Sequence, residues 1–117
     1  MTMIDSKGRQ CTPVMISTTF GAGFSTWCYG SATDDKLIQY LFKTYDKTKD
    51  IYYCDNSGDE FECYTFEHSP MFPKELNGFI DDNITVVLLP KGTFYRINDC
   101  AGKESIEIYR PDGYSIA

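Results

Sequence analysis

The run Ile84-Thr-Val-Val-Leu-Leu89 is the clearest apolar stretch in the chain and does most to limit its fold. It is too short for a buried helix, and its β-branched and aliphatic residues read as a strand suited to burial on both faces. Pro90, Lys91 and Gly92 turn the chain, and residues 93–98 form the next strand. Residues 99–103 make a hairpin loop in which Gly102 is free to adopt a left-handed conformation. Residues 104–109 complete a three-stranded antiparallel meander. Along it, Phe94, Arg96 and Asn98 alternate with Tyr95, Ile97 and Asp99, while Ser105, Glu107 and Tyr109 lie opposite Ile106 and Ile108. The isoleucine-bearing faces are expected to join the core under the helix.

Upstream, one stretch has helical period. Leu37, Leu41 and Tyr45 recur every four residues with Ile38 and Phe42 beside them, which predicts a helix over 34–45 lying on a sheet. Asp34 and Asp35 fall where carboxylates suit the positive end of the helix dipole. Residues 46–50 read as a solvated turn. Residues 12–20, 51–54 and 61–66 read as strands, the last two joined by a turn around Asn56, Ser57 and Gly58. Pro70 and Pro73 leave residues 68–83 mostly loop, with a short helical turn over 74–77. Residues 1–10 lack periodicity and read as a loose start. The expectation is one α+β domain spanning 1–117: an antiparallel β-sheet with a C-terminal three-stranded meander, packed by one main α-helix.

The net charge is −6, with arginine only at Arg9, Arg96 and Arg110. A chain this acidic is repelled by long nucleic acids and by anionic membranes, so neither is an expected partner. A small phosphorylated ligand stays open, because a few amides and one or two arginines suffice to hold it. The acidity equally suits solubility or a basic protein partner. No stretch approaches the roughly 20 apolar residues of a membrane span. Cys11, Cys28, Cys54, Cys63 and Cys100 are odd in number and lack C-x-x-C spacing, which points to free, mostly buried thiols in a reducing cytoplasm.

Signals for catalysis are weak. The single histidine, His68, sits in a proline-flanked loop without a local nucleophile elbow, and the reading is of no enzyme. Zinc needs more convergent ligands than Cys54 and Cys63, and residues 55–60 lack the calcium-loop pattern, so neither metal nor cofactor is expected. The loop at 21–27 is more informative. Gly21 and Gly23 are flanked by Thr18, Thr19, Ser25 and Thr26, with Phe20, Phe24 and Trp27 between them. It lacks a Rossmann or Walker pattern. Hydroxyls and amides that reach an anion, beside rings that stack on a base, would make a nucleotide pocket; the alternative is a tight loop whose rings cap the core. Arg96 has two readings in the same way, as a ligand contact or as the cross-strand partner of Glu107.

Two stretches carry a resemblance. Gly-Ala-Gly-Phe-Ser-Thr-Trp at 21–27 resembles a signature of small phage-type proteins, with Phe24 where tryptophan is commoner. Pro-Lys-Gly-Thr-Phe-Tyr-Arg-Ile-Asn-Asp-Cys-Ala-Gly-Lys-Glu-Ser-Ile at 90–106 resembles their hairpin, with Cys100-Ala101 where Tyr-Asp is commoner. Proteins of this style are similar to the Thoeris anti-defence sponges, oligomers that bind cyclic ADP-ribose isomers or cyclic oligonucleotides between protomers. The resemblance implies a phage-encoded homo-oligomer in the host cytoplasm that sequesters a small phosphorylated nucleotide signal. Its pocket would draw on Thr19, Phe20, Gly21, Gly23, Phe24, Ser25, Trp27, Phe94, Tyr95, Arg96, Asn98 and Arg110. The competing expectation is an acidic inhibitor, anti-CRISPR-like, that binds a host defence protein directly. It predicts that charge reversal at Asp59, Glu60 and Glu62 is the more damaging change.

Overall fold

Alternation along three strands divides the apolar residues between the two faces of one sheet. The computed structural model describes residues 1–19, 23–66 and 84–109 and the backbone of 115 and 116. Its elements are β1 (Met3–Ile4), β2 (Gln10–Ser17), α1 (Asp35–Thr44), β3 (Lys47–Tyr53), β4 (Glu60–Phe66), β5 (Ile84–Pro90), β6 (Phe94–Cys100), β7 (Lys103–Ile108) and β8 (Ser115–Ile116). They form a five-stranded antiparallel sheet ordered β1-β2-β5-β4-β3 and a three-stranded antiparallel sheet ordered β7-β6-β8. The expected 74–77 turn and His68 lie outside the described residues.

Cys11 and Met15 of β2, Phe66 of β4, and Ile84, Val86 and Leu88 of β5 pack with Leu37, Ile38 and Leu41 of α1. The residues of opposite parity, Val14 and Ile16, Phe61 and Cys63, Val87 and Leu89, pack with Tyr95 and Ile106 of the small sheet. The molecule therefore has three layers: helix, large sheet, small sheet. Each side chain of this type that leaves water contributes about 1.5–3 kcal/mol, so β5, buried from Ile84 to Leu89, anchors both cores.

The helix forms where its stripe predicts. Asp34 caps it, its carboxylate accepting from the Leu37 amide at 3.0 Å. Four expectations change. First, β5 does not pair with β6 in a meander; it inserts between β2 and β4, and the third strand of the small sheet is β8. Second, the isoleucine-bearing face of β6 and β7 packs on the large sheet's opposite face and not under the helix. Third, residues 47–50 extend β3 in register with β4, Asp50 opposite Cys63 and Lys47 opposite Phe66. Their polarity fits an exposed edge strand, where lysines discourage further pairing. Fourth, the N-terminal residues are held: β1 pairs with β2, and buried Asp5 accepts from the Lys7 and Arg9 amides and the Arg9 guanidinium.

The outer edge of β7 is sealed by side chains spaced two apart. The Tyr52 hydroxyl accepts from the Ile106 amide at 2.8 Å, and the Cys54 thiol lies 3.1 Å from the Ile106 carbonyl. The Asn56 carboxamide pairs with both backbone groups of Ile108, at 2.7 and 3.1 Å. These bonds tie the small sheet to the end of β3 and occupy an edge that would otherwise recruit another strand.

Candidate functional site

The loop following β2 and the β6–β7 hairpin meet around one carboxylate. Glu104 has the same strand parity as Ile106, so its side chain points inward, and it is 1% exposed. Its Oε1 accepts from the Ser17 amide at 2.8 Å. Its Oε2 accepts from the amides of Phe24 (3.1 Å) and Thr26 (2.9 Å) and from the Thr26 hydroxyl (2.7 Å). Removing a carboxylate from water costs several kcal/mol unless donors replace the lost solvent, and four donors do so here.

Phe24 anchors the other side of this loop. Its ring is fully buried in the helix-side core, while its carbonyl accepts from the amides of Trp27 (3.3 Å) and Tyr29 (2.9 Å). The chain passes Cys28 with a positive φ of 64°. Trp27 folds back over Gly23, where a Cβ would lie only 2.5 Å from the indole Cγ. The indole Nε1 donates to Asp99 Oδ2 at 3.1 Å, and Asp99 Oδ1 accepts from the Gly102 amide at 2.6 Å. Asp99 thus orders the hairpin turn and holds the ring. Farther along, the Met15 amide donates to the Ala32 carbonyl at 2.7 Å, which fixes residues 31–33 against β2.

A cavity of about 370 Å³ opens between this loop and β6, lined by Ser25, Ser31, Ala32, Thr33, Tyr95, Arg96 and Ile97. Its lining includes Ser25, Ser31 and Thr33, the last two with their hydroxyls 3.3 Å apart, and the guanidinium-bearing Arg96, beside Tyr95 and Ile97. Such a surface suits a small polar ligand with an anionic group. Among the described residues, its lining holds no carboxylate, imidazole or thiol, and no three His, Cys, Asp or Glu side chains gather as a metal site requires.

Of the expected pocket residues, Ser25, Tyr95 and Arg96 line this cavity; Gly23 and Trp27 belong to the same loop but are not in its lining, and others take a different role. Phe24 is core, so its ring offers no stacking face; the core-cap alternative holds for that ring. Asn98 donates to Glu107 and lines a separate cavity of about 90 Å³ with Tyr52 and Ser105. Arg96 and Glu107 stand opposite each other in the β6–β7 register. Thr19 and Phe94 are half-buried and do not line the cavity. Phe20, Gly21 and Arg110 lie outside the described residues. The loop amides assigned to a ligand are corrected most: those of Phe24 and Thr26 are occupied by Glu104.

Glu104, Asp99, Ser31 and Thr33 are the residues that sequence reasoning missed. The signal for Glu104 was its parity, since a carboxylate in line with Ile106 and Ile108 has to find donors inside the fold. The thiols are free and mostly buried, as expected: Cys11, Cys54 and Cys63 are buried, and Cys28 and Cys100 are exposed.

A second polar cluster lies toward the large sheet's β3 edge, centred on Glu62. Glu62 accepts from the Ser6 amide (3.0 Å) and the Tyr64 hydroxyl (2.8 Å) and pairs with Lys49 (3.3 Å). Burial pushes its carboxyl up, but the bonds from Ser6, Tyr64 and Lys49 prevail and hold it down to about 2. Burial and the same bond push the Tyr64 hydroxyl up to about 12.

No family model, curated protein or solved structure matches the chain. No helix among the described residues is long and apolar enough to cross a membrane.

Proposed function

We propose that the protein is a non-enzymatic binder that sequesters a small nucleotide signal, of the cyclic nucleotide or cyclic ADP-ribose type, in the cavity between residues 25–33 and β6. The observation that carries this reading is Arg96 beside three hydroxyls, with the only tryptophan of the chain held at the neighbouring loop. Arg96 and the hydroxyls meet phosphate oxygens. Trp27, 41% exposed, keeps part of its ring open for stacking. A ligand that is only held needs no general base. The motif resemblance points the same way and adds a phage origin, action in the host cytoplasm, and a homo-oligomer whose second copy closes over the open side.

Trp27 makes the test direct, because its emission reports on this loop alone. The protein is titrated with cyclic ADP-ribose isomers and cyclic dinucleotides, and bound material is then released by heat and identified by mass spectrometry. The proposal expects saturable emission changes and recovery of intact ligand. Loss of the Arg96 charge-assisted bonds in Arg96→Ala should weaken binding by about tenfold or more. Binding of none of these compounds, or recovery of cleaved products, overturns it.

The acidic-inhibitor reading keeps one favouring observation, the exposed turn carrying Asp55, Asp59 and Glu60. Glu62 leaves that set because it is buried and fully bonded. Charge reversal at Asp59 and Glu60 that abolishes capture of a host protein, while Arg96→Ala does not, would favour this second reading.

A further inference from the structure

We propose that Glu104 is the resident anion of an oxyanion nest and, through that occupancy, the residue that restricts the neighbouring cavity to phosphate groups carrying one negative charge each. The inference rests on the binding reading above for its ligand and on the hydrogen bonds alone for the nest.

The geometry of the nest is that of a bound anion. Three amides and a hydroxyl from residues 17–26 converge on two oxygens at 2.7–3.1 Å, and the group they hold is almost fully buried. In other loops such a convergence takes a phosphate or carboxylate from solution. Here the anion arrives on β7 and is covalently part of the chain.

Two consequences follow for the cavity. Ser25, which lines it, lies between Phe24 and Thr26, whose amides both point to Glu104. Those two backbone donors are consumed, which leaves the hydroxyls and Arg96 to meet the ligand's anion. Arg96 is the one cation among the described lining residues, and Glu107 stands across from it in the strand register. Glu104, held by the amides on either side of Ser25, puts a second carboxylate behind the Ser25 end of the cavity. Repulsion from a fixed negative charge scales with the charge of the incoming group. A phosphodiester, with one charge, is accommodated; a terminal phosphate monoester, with two near neutral pH, is disfavoured.

The experiment uses the full chain, wild type and Glu104→Ala, with two probes of equal base and different charge, cyclic AMP and AMP. Trp27 emission gives affinity, and melting temperature is followed in formate against chloride at matched ionic strength. Wild type is expected to bind cyclic AMP more tightly than AMP. Glu104→Ala should be destabilised, regain melting temperature in formate where wild type does not, and shift its preference toward AMP by about tenfold, as removal of one nearby carboxylate predicts. Glu104→Gln serves where the alanine variant does not fold. It keeps a carbonyl for the Phe24 and Thr26 donors, loses the charge, and should show the same shift in preference. An unchanged ratio of AMP to cyclic AMP affinity overturns the specificity role. Formate that stabilises wild type and Glu104→Ala equally overturns the nest. If wild type binds neither probe and none of the larger cyclic ligands, the functional reading fails and takes the specificity role with it, whereas formate rescue would still establish the nest.

Discussion

Replacing Gly23 by alanine isolates the contact that sets the position of Trp27. Gly23 does not have a positive φ, so alanine suits the backbone and, through the unfolded chain, should add about 0.4–1 kcal/mol of stability. The added methyl, however, would sit 2.5 Å from the indole Cγ, 2.6 Å from Cδ1 and 2.9 Å from Nε1. Carbon atoms in ordinary contact lie about 3.5–4.0 Å apart, so the ring has to retreat by about 1 Å. The bond from Nε1 to Asp99 is 3.1 Å long and does not survive that movement. Its loss costs about 0.5–1.5 kcal/mol, at the low end for an exposed pair. The two terms nearly cancel. Gly23→Ala should therefore melt within about 1 kcal/mol of wild type while its tryptophan emission shifts and quenches more readily with acrylamide. Gly92 supplies the opposite case, with a φ of +87° and nothing within 4 Å of an added Cβ. Gly92→Ala should lose about 1–2 kcal/mol to backbone strain and leave the emission untouched. If Gly23→Ala keeps wild-type emission and quenching, the ring is not seated on Gly23 and the geometry of the site is wrong.

Other consequences are equally accessible. Asn56→Leu removes the two bonds to the Ile108 backbone at a partly solvated edge, and denaturant melts should register a loss of about 1–2 kcal/mol; an unchanged midpoint would mean the β7 seal carries no weight. The Glu62 carboxyl is held down to about 2 against an ordinary 4.5, so its contribution to stability is complete above the ordinary value and disappears as the pH falls from there toward 2. Asp5, also lowered despite burial, has the same sign. Glu62→Gln should flatten the acid limb of the stability profile, and a profile parallel to wild type would refute the assignment. Maleimide labelling of the native protein should stop at the two exposed thiols, Cys28 and Cys100. Burial, with Asp50 and Glu62 nearby, pushes the Cys63 thiol up to about 11, so a fast third adduct there would contradict the core.

Much of this fold was legible, and the failures share a cause. The helix appeared because Leu37, Ile38 and Leu41 all lie on one face and Asp34 supplies its cap. Residues 47–50 were missed because Lys-Thr-Lys-Asp has little strand preference of its own; register with β4 makes it a strand. The meander failed in a similar way. Turn chemistry at 90–92 brings β5 and β6 close in sequence, but proximity in sequence does not decide pairing. The apolar run of β5 argues against that pairing. A strand buried on both faces needs a layer on each side, one helix supplies only one layer, and the small sheet had to be the other.

The site follows the same logic at the level of one residue. Alternation placed Ile106 and Ile108 inward, and Glu104 comes next in that series. A carboxylate at a core position has to bring its donors with it or draw them from another segment, and the hairpin's amides pair β6 with β7 or, at Gly102, Ile106 and Ile108, donate to Asp99, Tyr52 and Asn56. A glycine-containing, hydroxyl-bearing loop elsewhere in the chain is the kind of segment that can turn its amides inward. The two motifs are thus the two halves of one ion–dipole contact. This gives the residues at 23, 24, 26 and 27 separate duties: no side chain under the ring, a ring in the core, a hydroxyl on Oε2, and an indole on Asp99. It also explains why Ser25, lying between the two amides spent on Glu104, is the position of this loop left to face the cavity.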